Sequence, residues 1–91
     1  MSDFNNVLEE IGMENKIFGV ALCYMEDDKL EWGHTIFVSS DHKPNEKELK
    51  DNYMVIEEME NNDCDYIGTI YLSSIKEVEE YENAEIIPLN Y

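Results

Sequence analysis

The sequence predicts an α+β fold, in which a four-stranded mixed sheet packs on two or three helices in the order α-β-β-α-β-α-β. Dense apolar runs at residues 17–25, 35–38 and 66–72 supply strands and a core. Elsewhere apolar residues recur every three or four positions, which is the spacing of one helical face. No repeat or linker-like tract interrupts the 91 residues, so a single acidic domain over residues 1–91 is expected.

The N-terminal half is predicted to hold a helix and a hairpin. The helix covers residues 3–11, and its apolar face consists of Phe4, Val7, Leu8 and Ile11. Strands at 16–25 and 30–39 follow, joined by a turn at 26–29. The first strand is apolar on both faces, which favours a central place in the sheet. Strict alternation in the second strand would put four side chains on one face, namely Trp32, His34, Ile36 and Val38.

A second helix is predicted to start at Pro44 or Asn45 and to end at residues 59–62. It would bury an apolar arc formed by Leu49, Tyr53, Val55, Ile56 and Met59. The helix ends there because a polar run of Asn and Asp follows. The next apolar run, at 65–72, predicts the third strand.

The C-terminal end of the chain is predicted to add a short helix and an edge strand. Ser74 and Glu77 have the spacing of a capping box, so the helix starts at Ser74. Asn83 is expected to end it. A last strand follows at 84–89, and Pro88 confines it to an edge or to its own end, since proline cannot donate to a ladder of hydrogen bonds.

The net charge bears most strongly on function. Twenty-two Asp and Glu stand against six Lys and no Arg, which gives a formal charge of −16. This is at least twice the magnitude of about 2–8 that suits a small soluble domain, and it destabilises the fold by self-repulsion. Nucleic acid and anionic membranes need basic patches, so both are disfavoured as direct partners. A basic protein surface, such as that of a nucleic-acid-binding protein or nuclease, is favoured.

The expected compartment is the cytoplasm. The first residues lack the basic and apolar regions of a secretory signal. No apolar stretch reaches the length of about 18 residues that a membrane span needs. Cys23 and Cys64 are therefore expected to be reduced thiols.

Residues suited to catalysis are scarce, and the chain is predicted not to be an enzyme. His34 and His42, the only two imidazoles, are interpreted as structural. All four glycines are isolated, which argues against a phosphate-binding loop. Residues 61–65 look like the start of an EF-hand, but Ile67 and Ser74 occupy its fifth and twelfth positions, so both ligands are missing. No catalytic residue, cofactor or metal site is predicted.

The acids concentrate at the hairpin turn, at the end of the second helix and around the third helix. Tyrosine is enriched at interfaces, and of the six tyrosines Tyr81 and Tyr91 are expected to be the exposed ones. Half-buried positions are expected for Tyr24, Tyr53 and Tyr66. The predicted partner-binding residues are Glu26, Asp27, Asp28, Glu57, Glu58, Glu60, Asp63, Asp65, Glu77, Glu79, Glu80, Tyr81 and Glu82.

In size and charge the chain resembles small acidic phage inhibitors that imitate DNA, such as anti-restriction and anti-CRISPR proteins. A charge of −16 matches the phosphates of about 8 base pairs, or ~27 Å of duplex. The resemblance implies a non-enzymatic inhibitor that docks on the basic nucleic-acid-binding surface of a partner. Two alternatives stay open: an immunity protein that neutralises a basic toxin nuclease, and a divalent-cation-binding protein. A homodimer is also compatible with the sequence.

Overall fold

The computed structural model describes residues 15–81 and 84–89. In chain order its elements are β1 (Lys16–Glu26), β2 (Lys29–Ser40), α1 (Glu46–Lys50), α2 (Tyr53–Asn61), β3 (Tyr66–Ser73), α3 (Ile75–Glu79) and β4 (Ile86–Pro88). The prediction of an α+β fold with a four-stranded mixed sheet is confirmed. The predicted helix at 3–11 lies outside the described residues, as do Glu82, Asn83 and Tyr91.

The strands are ordered β3-β1-β2-β4 across the sheet. β1 pairs antiparallel with both β2 and β3, so the prediction of a central first strand is confirmed. β4 pairs parallel with β2, but only through Phe37, Val38 and Ser39. Most of β2 therefore has a strand neighbour on one side only within the described part of the chain, and this open edge forms one wall of the site described below.

The hairpin between β1 and β2 closes through a two-residue turn. Asp27 and Asp28 have φ values of 51° and 63°, and Glu26 pairs with Lys29 on either side of them. Two successive positive φ angles are those of a type I′ turn, whose twist matches that of the strands. Asp tolerates this left-handed backbone better than most residues, so two acids can stand at the tip.

A β-bulge in the hairpin overturns part of the predicted strand pattern. Leu22 of β1 pairs with His34 of β2, whereas the next residue, Cys23, pairs with Trp32. Successive residues of β1 point to opposite faces, so His34 and Trp32 do as well. The indole Nε1 of Trp32 donates a hydrogen bond to Oγ1 of Thr35, 2.9 Å away. The predicted common face for Trp32 and His34 is therefore wrong, because the extra residue reverses the alternation.

The sheet is covered on both faces. On one face it packs against α1 and α2, in a core formed by Phe18, Val20, Leu22, Ile36, Val38, Leu49, Val55, Met59, Cys64, Ile87 and Leu89. On the other face a smaller core beneath α3 contains Ile17, Phe37 and Val78. Burying one such side chain stabilises the fold by roughly 1.5–3 kcal/mol, so the larger layer contributes most of the stability. In the described residues no helix is long and apolar enough to cross a membrane.

The predicted second helix is two helices. Asn45 caps the first one, in a capping box with Glu48, so the predicted start is confirmed. The helix stops at Lys50, however, and α2 starts again at Tyr53. Oδ1 of Asn52 accepts hydrogen bonds from the backbone of Met54 and Val55 at 2.9 and 3.3 Å. Asn52 therefore acts as the N-cap of α2, and the chain does not form one continuous helix.

Candidate protein-binding groove

A concave surface lies along the open edge of β2. It is a groove of about 470 Å³ between β2, α2 and the segment that leads into β4. Its lining includes His34, Ile36, Tyr53, Met54, Glu57, Glu58, Tyr81, Ala84 and Glu85. Apolar and aromatic side chains thus stand beside carboxylates, next to a strand edge without a described neighbour.

α2 supplies one wall of the groove. Val55 and Met59 are buried, so this helix packs on the sheet through one narrow stripe. Glu58 is half-buried and Glu57 is exposed, and both line the groove. Tyr53 stands in the first turn with 75% of its surface exposed, because the break at Asn52 rotates it away from the core.

On the opposite side the groove is lined by Tyr81, which follows α3, and by Phe37 of β2. Tyr81 packs edge-on against Phe37, with ring centroids 5.0 Å apart and an interplanar angle of 75°. Tyr71 lies close by, over Gly19, where no side chain competes for the space. Burial raises the pKa of the Tyr71 phenol well above its ordinary value, and a hydrogen bond to Glu77 raises it further. Glu77 thus interacts with Tyr71, and Tyr81 is held by its packing on Phe37.

The groove carries a negative charge that the chain itself does not neutralise. All six lysines are in the described residues, and only Lys47 and Lys50 form ion pairs, with Asp51 and Glu46. His42 bridges two further acids of the same segment, 2.6 and 2.8 Å from Asp41 and Glu48, which raise its pKa. No lysine lines the groove. The ion pairs of the described residues therefore all lie within residues 41–51, and they leave the acids of the groove uncompensated.

Two of the predicted acidic clusters flank the same stretch of β2. Glu57 and Glu58 line the groove, and Glu60 follows on the exposed side of α2. The loop after α2 then reaches the sheet: a Cβ at Gly33 would lie 2.5 Å from Sγ of Cys64, so the acids next to Cys64 (Asp63 and Asp65) lie beside β2. The turn acids Glu26, Asp27 and Asp28, together with Glu31, are exposed at the end of the same hairpin.

The third predicted cluster is divided. Glu79 and Glu80 are exposed at the end of α3, on the other face of the sheet. Glu77 is half-buried against Tyr71. Glu85 lines the groove, and Glu82 lies outside the described residues. The groove therefore gathers members of two clusters, together with Tyr81.

The prediction that Tyr53 and Tyr66 are half-buried is wrong. Tyr53 is 75% exposed and Tyr66 is 42% exposed, whereas Tyr24 has intermediate burial. For Tyr53 the cause is the helix break. For Tyr66 it is the position of β3 at the outer edge of the sheet. Sequence reasoning also left out Met54 and His34, whose place in the groove depends on the helix break and on the bulge.

Among the described residues, neither a metal-binding group nor an exposed thiol is found. No group of three or more His, Cys, Asp or Glu among them could hold a metal ion. Cys23 and Cys64 are both buried free thiols. Burial raises the pKa of the Cys64 thiol, which disfavours the nucleophilic thiolate. The groove itself combines apolar and aromatic side chains with carboxylates.

Comparison with known protein families, with curated proteins and with solved structures finds no match to the chain.

Proposed function

We propose that this chain is a non-enzymatic cytoplasmic protein that docks on the basic, nucleic-acid-binding surface of another protein and blocks it. The observation that carries the proposal is the groove beside β2. Its aromatic and apolar lining has the composition of an interface centre, and three carboxylates line it as well. A partner must bring the cations, since no lysine lines the groove.

The surrounding acids extend this surface beyond the groove. Glu31 precedes His34 by three residues, which is about 10 Å along a strand. The turn acids and those of the 62–65 loop therefore fit beside the groove within one interface of ordinary size, about 800 Å² per partner. A patch of this charge would steer a basic partner during encounter and would compete with nucleic acid for it.

The test starts with affinity capture from a bacterial lysate in about 0.1 M salt, followed by elution with duplex DNA. The proposal expects a nucleic-acid-binding protein that is displaced by DNA and released at about 0.5 M salt, where charges are screened over about 4 Å. If no such protein is retained, or if DNA does not displace it, the proposal is wrong.

Substitutions then ask whether the groove is the contact. The triple variant Glu57→Gln, Glu58→Gln, Glu85→Gln removes three charges from the groove. A charge-matched control, Asp41→Asn, Glu46→Gln, Asp51→Asn, removes three from the balanced segment. We expect the dissociation constant for the captured protein to rise at least about tenfold for the first and less than about twofold for the second. Equal losses would show that net charge alone drives binding.

A further inference from the structure

We infer that the outer edge of β3 is a self-association surface, through which two copies of the chain join their sheets. The eight residues of β3, Tyr66–Ser73, include neither a charged residue nor a proline. In the described part of the chain nothing pairs with the outer side of this strand, because β1 is its only neighbour.

Open strand edges usually carry features that prevent pairing, such as charged side chains, proline or bulges. The open edge of β2 has several of them: Lys29 and Glu31 are charged, and a bulge interrupts the pairing near Trp32. β3 has only the bulge opposite Ala21, and from Ile70 to Ser73 its pairing with β1 is regular. Of these two open strand edges, that of β3 is therefore the one without a charged residue.

The side chains of β3 match a second copy of the same strand. Ile70 and Leu72 lie on one face, since they pair with Val20 and Phe18 of β1. Leu72 is 66% exposed even though it stands beside the core. A two-fold axis requires antiparallel pairing, and an axis at Tyr71 places Leu72 of each copy next to Ile70 of the other. The apolar surface that one copy leaves open is thus covered by its partner.

The absence of charge along β3 also favours a second copy at this edge. Two chains of −16 repel each other wherever their acids meet. With the axis at Tyr71, residues 69–73 of the two copies pair, and the nearest acids on either side, Asp65 and Glu77, are each six residues from the axis. Neither acid lies among the paired residues, so the repulsion between the copies is confined to the two ends of the pairing, where salt can screen it.

Sedimentation velocity of the full chain from about 1 to 200 μM, in about 0.15 and 0.5 M NaCl, tests the inference. We expect a monomer–dimer equilibrium that shifts towards the dimer at higher salt, because screening weakens the repulsion between copies. Binding to a basic partner has the opposite salt dependence, so the failure of one proposal would be distinguishable from that of the other.

Leu72→Lys should weaken dimerisation at least about tenfold, because it removes two leucines from the interface and adds two charges. Leu30→Lys is the matched control: Leu30 is 51% exposed at the other end of the sheet, and its substitution should leave the equilibrium within about twofold. Thr69→Lys provides a second variant on β3, at an exposed position. A wild-type monomer at all concentrations, or equal effects of Leu72→Lys and Leu30→Lys, would overturn the inference.

Discussion

At the scale of single residues, the contact between Gly19 and Tyr71 determines how the groove wall is built. A Cβ placed on Gly19 would lie 2.3 Å from Cζ and 2.5 Å from Oη of Tyr71. Non-bonded atoms do not approach this closely in proteins, so the ring of Tyr71 can occupy its position only over a glycine. The ring in turn interacts with Glu77 and Tyr81. A backbone position in β1 thus fixes aromatic side chains that border the binding surface.

Gly19→Ala is therefore expected to destabilise the protein by about 1–3 kcal/mol, the usual effect of overpacking a core. The measurement is the free energy of unfolding in urea. In a Tyr71→Ala background the new methyl group meets no ring, so the same substitution should be nearly neutral. If Gly19→Ala costs the same in both backgrounds, the contact with Tyr71 is not the reason for the glycine.

At the scale of secondary structure elements, the break between α1 and α2 decides what the groove displays. Asn52 Oδ1 accepts from two backbone N–H groups, and its own backbone N–H donates to the carbonyl of Leu49. The side chain therefore ends one helix and begins the next. Tyr53 and Met54 follow at once, and both line the groove.

Asn52→Ala should lower the free energy of unfolding by about 1 kcal/mol, because two backbone donors lose their acceptor. Asn52→Asp keeps the acceptor and places a negative charge at a helix N-terminus, so it should retain the stability or raise it slightly. Urea unfolding of the three proteins gives the comparison. Equal stability of the Ala variant and the wild type would mean that the two helices can join at no cost.

The elements also show what the sequence could predict. Apolar runs, turn residues and caps were enough for four strands, for the capped starts of α1 and α3, and for the central place of β1. The helix break and the bulge were not predicted, because each depends on one residue whose local preference is weak until the core selects it. Asp63 illustrates the same limit. Its φ of 54° and the hydrogen bonds of the backbone around it end α2. The sequence shows Asp63 only as one of several acids and does not indicate this structural role.

The candidate site was predicted only in part, for a related reason. The acidic clusters were visible in the sequence, and Tyr81 was correctly expected to be exposed. The way two of the clusters meet along β2 depends on the crossover from α2 to β3, which carries Cys64 against Gly33. A contact between residues so far apart in the chain is determined by tertiary packing, and the local sequence pattern around either residue does not predict it.

At the scale of the whole molecule, self-repulsion opposes folding. The acids outnumber the lysines by 16, and the described residues extend over 43 × 27 × 20 Å. Many like charges therefore lie within about two Debye lengths of each other at low salt. The ion pairs of Lys47 and Lys50 act in the other direction, but exposed i,i+4 pairs contribute only about 0.3–0.5 kcal/mol each. Repulsion should outweigh them.

Raising NaCl from about 0.05 to 0.5 M shortens the Debye length from about 14 to 4 Å, so the repulsion between acids should largely disappear. We expect the free energy of unfolding to rise by at least about 1 kcal/mol, which corresponds to a Tm increase of about 4–8 °C for a domain of this size. Thermal unfolding at several salt concentrations measures it. The triple variant Glu57→Gln, Glu58→Gln, Glu85→Gln carries less charge and should gain less from salt than the wild type. A Tm that falls with salt would show that the ion pairs around α1 outweigh the repulsion, and the excess charge would then cost the fold little.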